Sequence, residues 1–183
     1  MREHRRQQPE MPWHVVVTVA DVAETGEHMD LVADAETRAS IARMAGLRDL
    51  PRLEASFDLL PHGGGGLRVT GRVSATVGQN CVVTLEPLSN EVEEAIDLLY
   101  MRPAAAAAVD DESQAEAEPK WNEPEPLIGD AVDLGALATE FLVLGLDPYP
   151  RKPGAVFEPP RDNPPEPGPF AGLAGLLKNR DGS

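Results

Sequence analysis

Cys81 is the only thiol in the 183-residue chain, and one thiol excludes an intramolecular disulfide and any structural zinc site built from several thiolates. It stands beside a turn at the start of a short apolar run. A cysteine there is either a small packed hydrophobe or a reactive group, and the packed reading is the simpler one. His4, His14, His28 and His62 have no second ligand three to five residues on and no thiolate beside them, so they read as surface or strand histidines. The run Gly63–Gly66 is not followed by Lys-Ser or Lys-Thr and leads into a strand pattern, so it reads as a hairpin loop and not as a phosphate loop. None of the serines (Ser40, Ser56, Ser74, Ser89, Ser113, Ser183) lies in a G-x-S-x-G turn. Carboxylates are plentiful, but no cleft that would separate the pKa values of a catalytic pair is legible. Arg68 and Arg72 share the polar face of one strand and could meet a phosphate or a carboxylate; cross-strand pairing with Asp58 or Glu54 is the expected use. No catalytic, cofactor or metal residue is assigned, and the expectation is a protein without enzyme activity.

The elements that would position these residues follow from hydrophobic periodicity. Trp13, Val15, Val17 and Val19 alternate with His14, Val16 and Thr18, which predicts a strand. A second extended run covers Gly26 to Ala33. Asp34 is placed to cap a helix from Ala35 to Ala45, with Gly46 as its stop and Ile41, Met44 and alanines as its apolar stripe. Leu53, Ala55, Phe57 and Leu59 form one face of a strand, and Leu67, Val69, Gly71, Val73, Ala75 and Val77 form one face of the next, antiparallel across the glycine loop. Gly78 to Asn80 reads as a turn and Cys81 to Glu86 as a short strand. Val92, Glu94, Ile96, Leu98 and Tyr100 make one face of a further strand. Asp133 is placed to cap a helix over Leu134 to Leu144, whose apolar face of Leu134, Leu137, Ala138, Phe141, Leu142 and Leu144 needs a sheet to cover.

Composition bounds the rest. The chain is long enough for one domain with a real core, while 18 prolines, 16 glycines and only 4% aromatic residues assign much of it to loop and tail. Residues 1–11 are expected to be a disordered lead-in, 12–150 a single domain, 103–126 a disordered acidic insertion within it, and 151–183 a proline-rich tail. The tail ends in a short amphipathic helix over 169–178 that carries Phe170, Leu173, Leu176 and Leu177. The predicted class is α+β, with an antiparallel sheet of at least four strands and a packed helix in the C-terminal half. Acidic residues outnumber basic ones 31 to 16, and the net charge of −15 repels the phosphates that an autonomous nucleic-acid binder has to neutralise. The basic N-terminus has no apolar region behind it and no run approaches 18 apolar residues. A soluble, unexported, cytoplasmic protein is expected, with no membrane partner and no small-molecule substrate.

Three blocks in order, GRVSATVGQNCVVTLEPLSNEVEEAIDLLY, DLGALATEFLVLGLDPYPRKPG and PFAGLAGLLK, are specific in combination, and over residues 13–178 the chain resembles the YceD family of bacterial and plastid proteins. The family form is a C-x-R-C-L-x-P turn, an acidic insertion, a helix that leads into prolines, and a final P-F-x-x-L-x-x-L. The matching residues here are Cys81, Leu85, Glu86 and Pro87, then Asp133, Glu140 and Pro148, then Phe170 and Leu173, and these are the candidate contact residues. The chain departs from the form at Val83 and Thr84, where the family has arginine and its second cysteine, and at 152–157, where a later cysteine is absent; a metal or thiol pair is therefore not expected. The resemblance implies an accessory role in synthesis, processing or stability of 23S ribosomal RNA. The acidic charge suits a basic ribosome-assembly or ribosomal protein, with 23S rRNA associated indirectly. The alternative is a direct RNA-binding or RNA-processing protein that uses a local basic patch drawn from Arg68, Arg72 and the Arg151-Lys152 pair, although aromatics for base stacking are scarce.

Overall fold

The computed structural model describes residues 11–103 and 124–157. In chain order the strands are β1 (Val16–Thr18), β2 (Glu27–Val32), β3 (Asp49–His62), β4 (Gly66–Asn80), β5 (Pro87–Met101), β6 (Glu125–Pro126) and β7 (Ala131–Asp133). The helices are α1 (Ala35–Met44), between β2 and β3, and α2 (Leu134–Leu144), after β7. A five-stranded sheet runs β2-β3-β4-β5-β6, and β1 pairs with β7 in a small second sheet. The α+β class holds. The large sheet is mixed, because β6 joins β5 in parallel while every other neighbour is antiparallel.

Period-two alternation decides which face of the sheet is buried. Leu53, Ala55, Phe57 and Leu59 on β3, Leu67, Val69, Val73, Ala75 and Val77 on β4, and Val92 and Ile96 on β5 form one continuous core. The register sets Phe57 opposite Gly71, and a Cβ at Gly71 would come 2.2 Å from the Ser56 carbonyl and 3.0 Å from the Phe57 ring. Phe57 has no exposed surface because its ring uses the space over this glycine. Gly64 and Gly65 turn the β3–β4 hairpin with positive φ, which only glycine adopts without strain.

Both helices begin as their cap residues dictate. Asp34 Oδ1 accepts the Thr37 N–H at 2.8 Å, and Gly46, with φ +66°, follows the end of α1. Asp133 Oδ1 accepts from Gly135 and Ala136 at the start of α2. Leu134, Leu137, Ala138 and Leu142 are buried, with Phe141 packed at the margin. Gly135 lets α2 lie against Trp13, whose carbonyl oxygen is 2.8 Å from where a Cβ would stand. Thr139, polar and fully buried, donates its hydroxyl to the Gly135 carbonyl. Met44 and Leu144, expected in the apolar faces, are exposed, because each lies in the last turn of a helix that runs past the edge of the core it covers.

Four boundaries differ from expectation. The strand predicted over Trp13–Val19 is only Val16–Thr18. Its partner β7 has three residues, and the Val15 N–H and carbonyl go instead to Asp133 and to the Leu134 N–H at the start of α2. Gly78 to Asn80 is strand and not turn, since β4 continues until Asn80 pairs with Pro87. Cys81–Glu86 is the turn and not a strand: with its flanks paired, the Leu85 N–H bonds back to the Cys81 carbonyl. Glu125 and Pro126, expected within the disordered insertion, are instead strand residues that pair with Tyr100 and Met101. Most of the lead-in and of the acidic insertion, and the tail beyond residue 157 with the helix expected over 169–178, lie outside the described residues.

Candidate functional site

At one end of the sheet the Cys81–Glu86 turn joins β4 to β5, and the chain leaving α2 returns beside it. Three links bind the two segments. The Val82 N–H donates to the Pro150 carbonyl at 2.9 Å, the Lys152 N–H donates to Cys81 Sγ at 3.3 Å, and Lys152 Nζ pairs with Glu86 at 3.1 Å. The turn closes on itself through Leu85 N–H to the Cys81 carbonyl and Cys81 N–H to the Glu86 carbonyl. The Thr84 N–H supplies a second donor to Cys81 Sγ, at 3.4 Å.

Cys81 is buried, as expected of a packed thiol, with 0% of its surface accessible. It is also a hydrogen-bond acceptor. The Lys152 N–H, then Thr84 and more weakly the Val83 N–H, pull its pKa down to about 6 against the opposing effect of burial. The positions at which the resemblance sets other cysteines, Thr84 and the stretch 152–157, thus converge on Cys81. Among the described residues no three His, Cys, Asp or Glu side chains gather as a metal site.

The locked turn presents Leu85. Its φ is +60°, a strained conformation for a leucine, and the residue is 77% exposed. Val82 on the turn and Tyr149 on the returning segment are exposed as well. Glu86 is held below the usual carboxylate range by Lys152 and then by Thr84. Cys81, Leu85, Glu86, Pro87 and Pro148 therefore belong to one corner.

The other candidates lie elsewhere. Asp133 is at the far end of α2, about 16 Å away along its eleven residues. It is structural there: burial raises its pKa, but the His14 ring and the Val15 and Ala136 N–H groups together hold it below the usual value. Glu140 is exposed on α2, and its charge adds to burial and Glu125 in pushing the Tyr100 hydroxyl up to about 12. Phe170 and Leu173 lie outside the described residues.

The open face of the sheet is charged. Arg68 pairs with Asp97 through two hydrogen bonds and Arg72 with Glu93, so their partners are on β5 and not, as expected, Asp58 or Glu54 on β3. Arg52 on β3 reaches across to Glu91. Asp97 and Glu93 lie diagonal to Arg68 and Arg72 on the neighbouring strand, within reach of a long guanidinium. Around these three arginines stand Asp30, Glu54, Asp58, Glu91, Glu93 and Asp97, which leaves the face acidic.

Sequence reasoning missed one cluster. Arg38, Arg43 and Arg48 rim a shallow groove of about 480 Å³ between α1 and the start of β3, floored by Ala35, Ala39, Ala42 and Leu50. Arg38 bonds the Ala33 carbonyl and Arg48 pairs with Asp49. Their five-residue spacing fits no single helix face; the reversal at Gly46 is what brings Arg48 beside the other two.

No curated protein and no solved structure matches the chain. A family model, described as large ribosomal RNA subunit accumulation protein YceD, matches residues 69–177. The matched span runs from β4 through the Cys81–Glu86 turn and α2 to the returning prolines, so it takes in every segment that builds the corner. The chain belongs to the YceD family of large ribosomal RNA subunit accumulation proteins.

Proposed function

We propose that this protein is a non-enzymatic cytoplasmic accessory factor in the synthesis, processing or stability of 23S ribosomal RNA, acting through contacts with a basic ribosome-assembly or ribosomal protein. One observation carries the choice of protein over RNA: three of the four basic residues expected to form an RNA-binding patch are paired with carboxylates. Arg68, Arg72 and Lys152 each face a carboxylate, and the surrounding sheet surface is acidic. Such a surface accelerates encounter with a cationic protein and repels free phosphodiester backbone. The corner at Leu85 supplies the apolar element such an interface needs, a locked turn with an exposed aliphatic side chain at its tip. No helix among the described residues is long and apolar enough to cross a membrane.

A second reading rests on the groove lined by Arg38, Arg43 and Arg48, whose lining holds a single carboxylate, Asp49, paired with Arg48. Affinity recovery with and without RNase separates the two. Recovery of a defined basic protein that survives RNase supports the protein reading, and its loss in Leu85→Ala locates the contact. RNase-sensitive recovery of ribosomal RNA that fails in an Arg38, Arg43 and Arg48 triple alanine variant would instead establish the RNA reading.

A further inference from the structure

We propose that the outer edge of β5, from Ser89 to Leu99, is a strand-addition site for an extended Lys/Arg-rich segment of a protein partner. The proposal rests on the protein-contact reading above and names the surface and the mode of binding. β5 pairs with β4 along its whole length, but on its other side only Tyr100 and Met101 are paired, with β6. Among the described residues nothing pairs with the remainder of that side.

The direction of the unpaired groups follows from the ladder. Leu127 N–H donates to the Met101 carbonyl at 2.8 Å, so Met101 turns its polar backbone away from β4. The β4–β5 register runs from Leu67↔Tyr100 to Asn80↔Pro87 without a shift. Alternation in an unbroken antiparallel strand therefore turns the N–H and C=O groups of Leu99, Asp97, Ala95, Glu93, Glu91 and Ser89 outward as well. That is a bonding edge about 35 Å long, free of bulges and of internal proline. β6 already adds to its upper end, so the edge accepts a strand.

Charge selects the occupant. Glu91, Glu93 and Asp97 share the open face along this edge, and Glu94 lies on the opposite face. Their arginine partners approach from the β4 side in exposed pairs, which are individually weak, and each carboxylate retains acceptor capacity toward the open side. A second copy added edge to edge would set carboxylate beside carboxylate. The insertion, with Asp110, Asp111, Glu112, Glu116 and Glu118 against Lys120, meets the same repulsion. A cationic extended segment gains backbone bonds and charge pairing together, the combination on which strand addition depends.

The test uses the full chain and an acetylated eleven-residue peptide that alternates lysine with threonine and valine. The control peptide has the same charge with every second backbone nitrogen methylated on its bonding edge. Amide hydrogen exchange of Glu91, Glu93, Ala95 and Asp97 is expected to slow at least tenfold with the first peptide and to stay unchanged with the second. Equal effects from both peptides, no protection, or protection confined to β2 would overturn the proposal. Ala95→Pro removes an outward N–H that β4 does not use, and is expected to weaken peptide binding at least tenfold; if that variant fails to fold, the methylated peptide decides alone. RNase-resistant recovery of a basic protein alongside failure of the peptide test would sink this site and leave the protein-contact reading standing. RNase-sensitive recovery would remove that reading whatever the peptides show.

Discussion

Leu85→Gly is expected to stabilise the protein and weaken its partner contact at once. A leucine held at φ +60° costs about 1–2 kcal/mol relative to an ordinary backbone conformation, and glycine removes that cost. Glycine also loses about 0.5–1 kcal/mol more backbone entropy on folding. With the residue 77% exposed, the apolar area surrendered is worth only a few tenths of a kcal/mol, roughly. The balance is a gain of about 0.5 kcal/mol, or roughly 2 °C in melting temperature for a folded region of this size.

Urea unfolding reads the stability, and recovery of the RNase-resistant partner reads the contact. Leu85→Ala separates the two causes, because it keeps the strained backbone and removes the side chain; its stability should match the wild type while its recovery falls as in Leu85→Gly. A loss of more than about 1 kcal/mol in Leu85→Gly would mean that the side chain is packed against something, and the strain argument would fail. Undiminished recovery in both variants would remove Leu85 from the interface.

Three further perturbations test the forces inside the fold. The Cys81 thiol titrates near 6 in the folded protein and higher when unfolded, so its contribution to stability is lost as pH falls through about 6 and is complete only above the unfolded value; the stability difference between wild type and Cys81→Ala should therefore grow from pH 6 to pH 9, and chelators should leave both melting curves unchanged. About one zinc per chain, lost in Cys81→Ala, would refute this account of the corner. The His28 pKa is raised above 6.5, first by its hydrogen bond to Asp58, so its stabilising contribution is present below 6.5 and is lost as pH rises through the raised value; NMR titration should show that pKa falling in Asp58→Asn. Asp133→Ala removes the α2 cap together with the acceptor for Val15 N–H and should cost about 2 kcal/mol by urea unfolding, a difference that shrinks as pH falls through the lowered carboxyl pKa.

Legibility in the sequence tracked the range of the interactions involved. β3, β4 and α2 are readable because their signals are local: strict alternation over many residues, and an aspartate directly before an apolar helix. The turn at Cys81–Glu86 was not. Val82 and Val83 have strand propensity, and what overrides it is the pairing of Asn80 with Pro87, a constraint that lies outside the turn itself. Nor does the sequence show that Lys152 would donate its backbone N–H to a sulfur 71 residues earlier. The arginine partners were misassigned for a related reason: both neighbours of β4 offer carboxylates diagonal to the arginines, and those on β3 are engaged by other residues, Asp58 by His28 and Glu54 by Arg52. The resemblance identified the residues of the corner, and the fold explains why they belong together.

The acidic insertion leaves the sheet after β5 and rejoins it at β6, and those two strands are hydrogen-bonded neighbours. Its two ends are therefore held about 5 Å apart by the sheet, whatever lies between them. Closing a loop over such a fixed gap costs free energy that grows only with the logarithm of its length, about 0.6 kcal/mol per doubling. Deleting Ala104 to Glu118 should thus leave the melting temperature within about 2 °C of the wild type. The same deletion removes five carboxylates and no base, Asp110, Asp111, Glu112, Glu116 and Glu118, so it should slow association with a cationic partner and flatten the salt dependence of that rate. A fall of more than about 5 °C would show that the segment packs on the domain, and an unchanged salt dependence would show that its charge takes no part in the encounter.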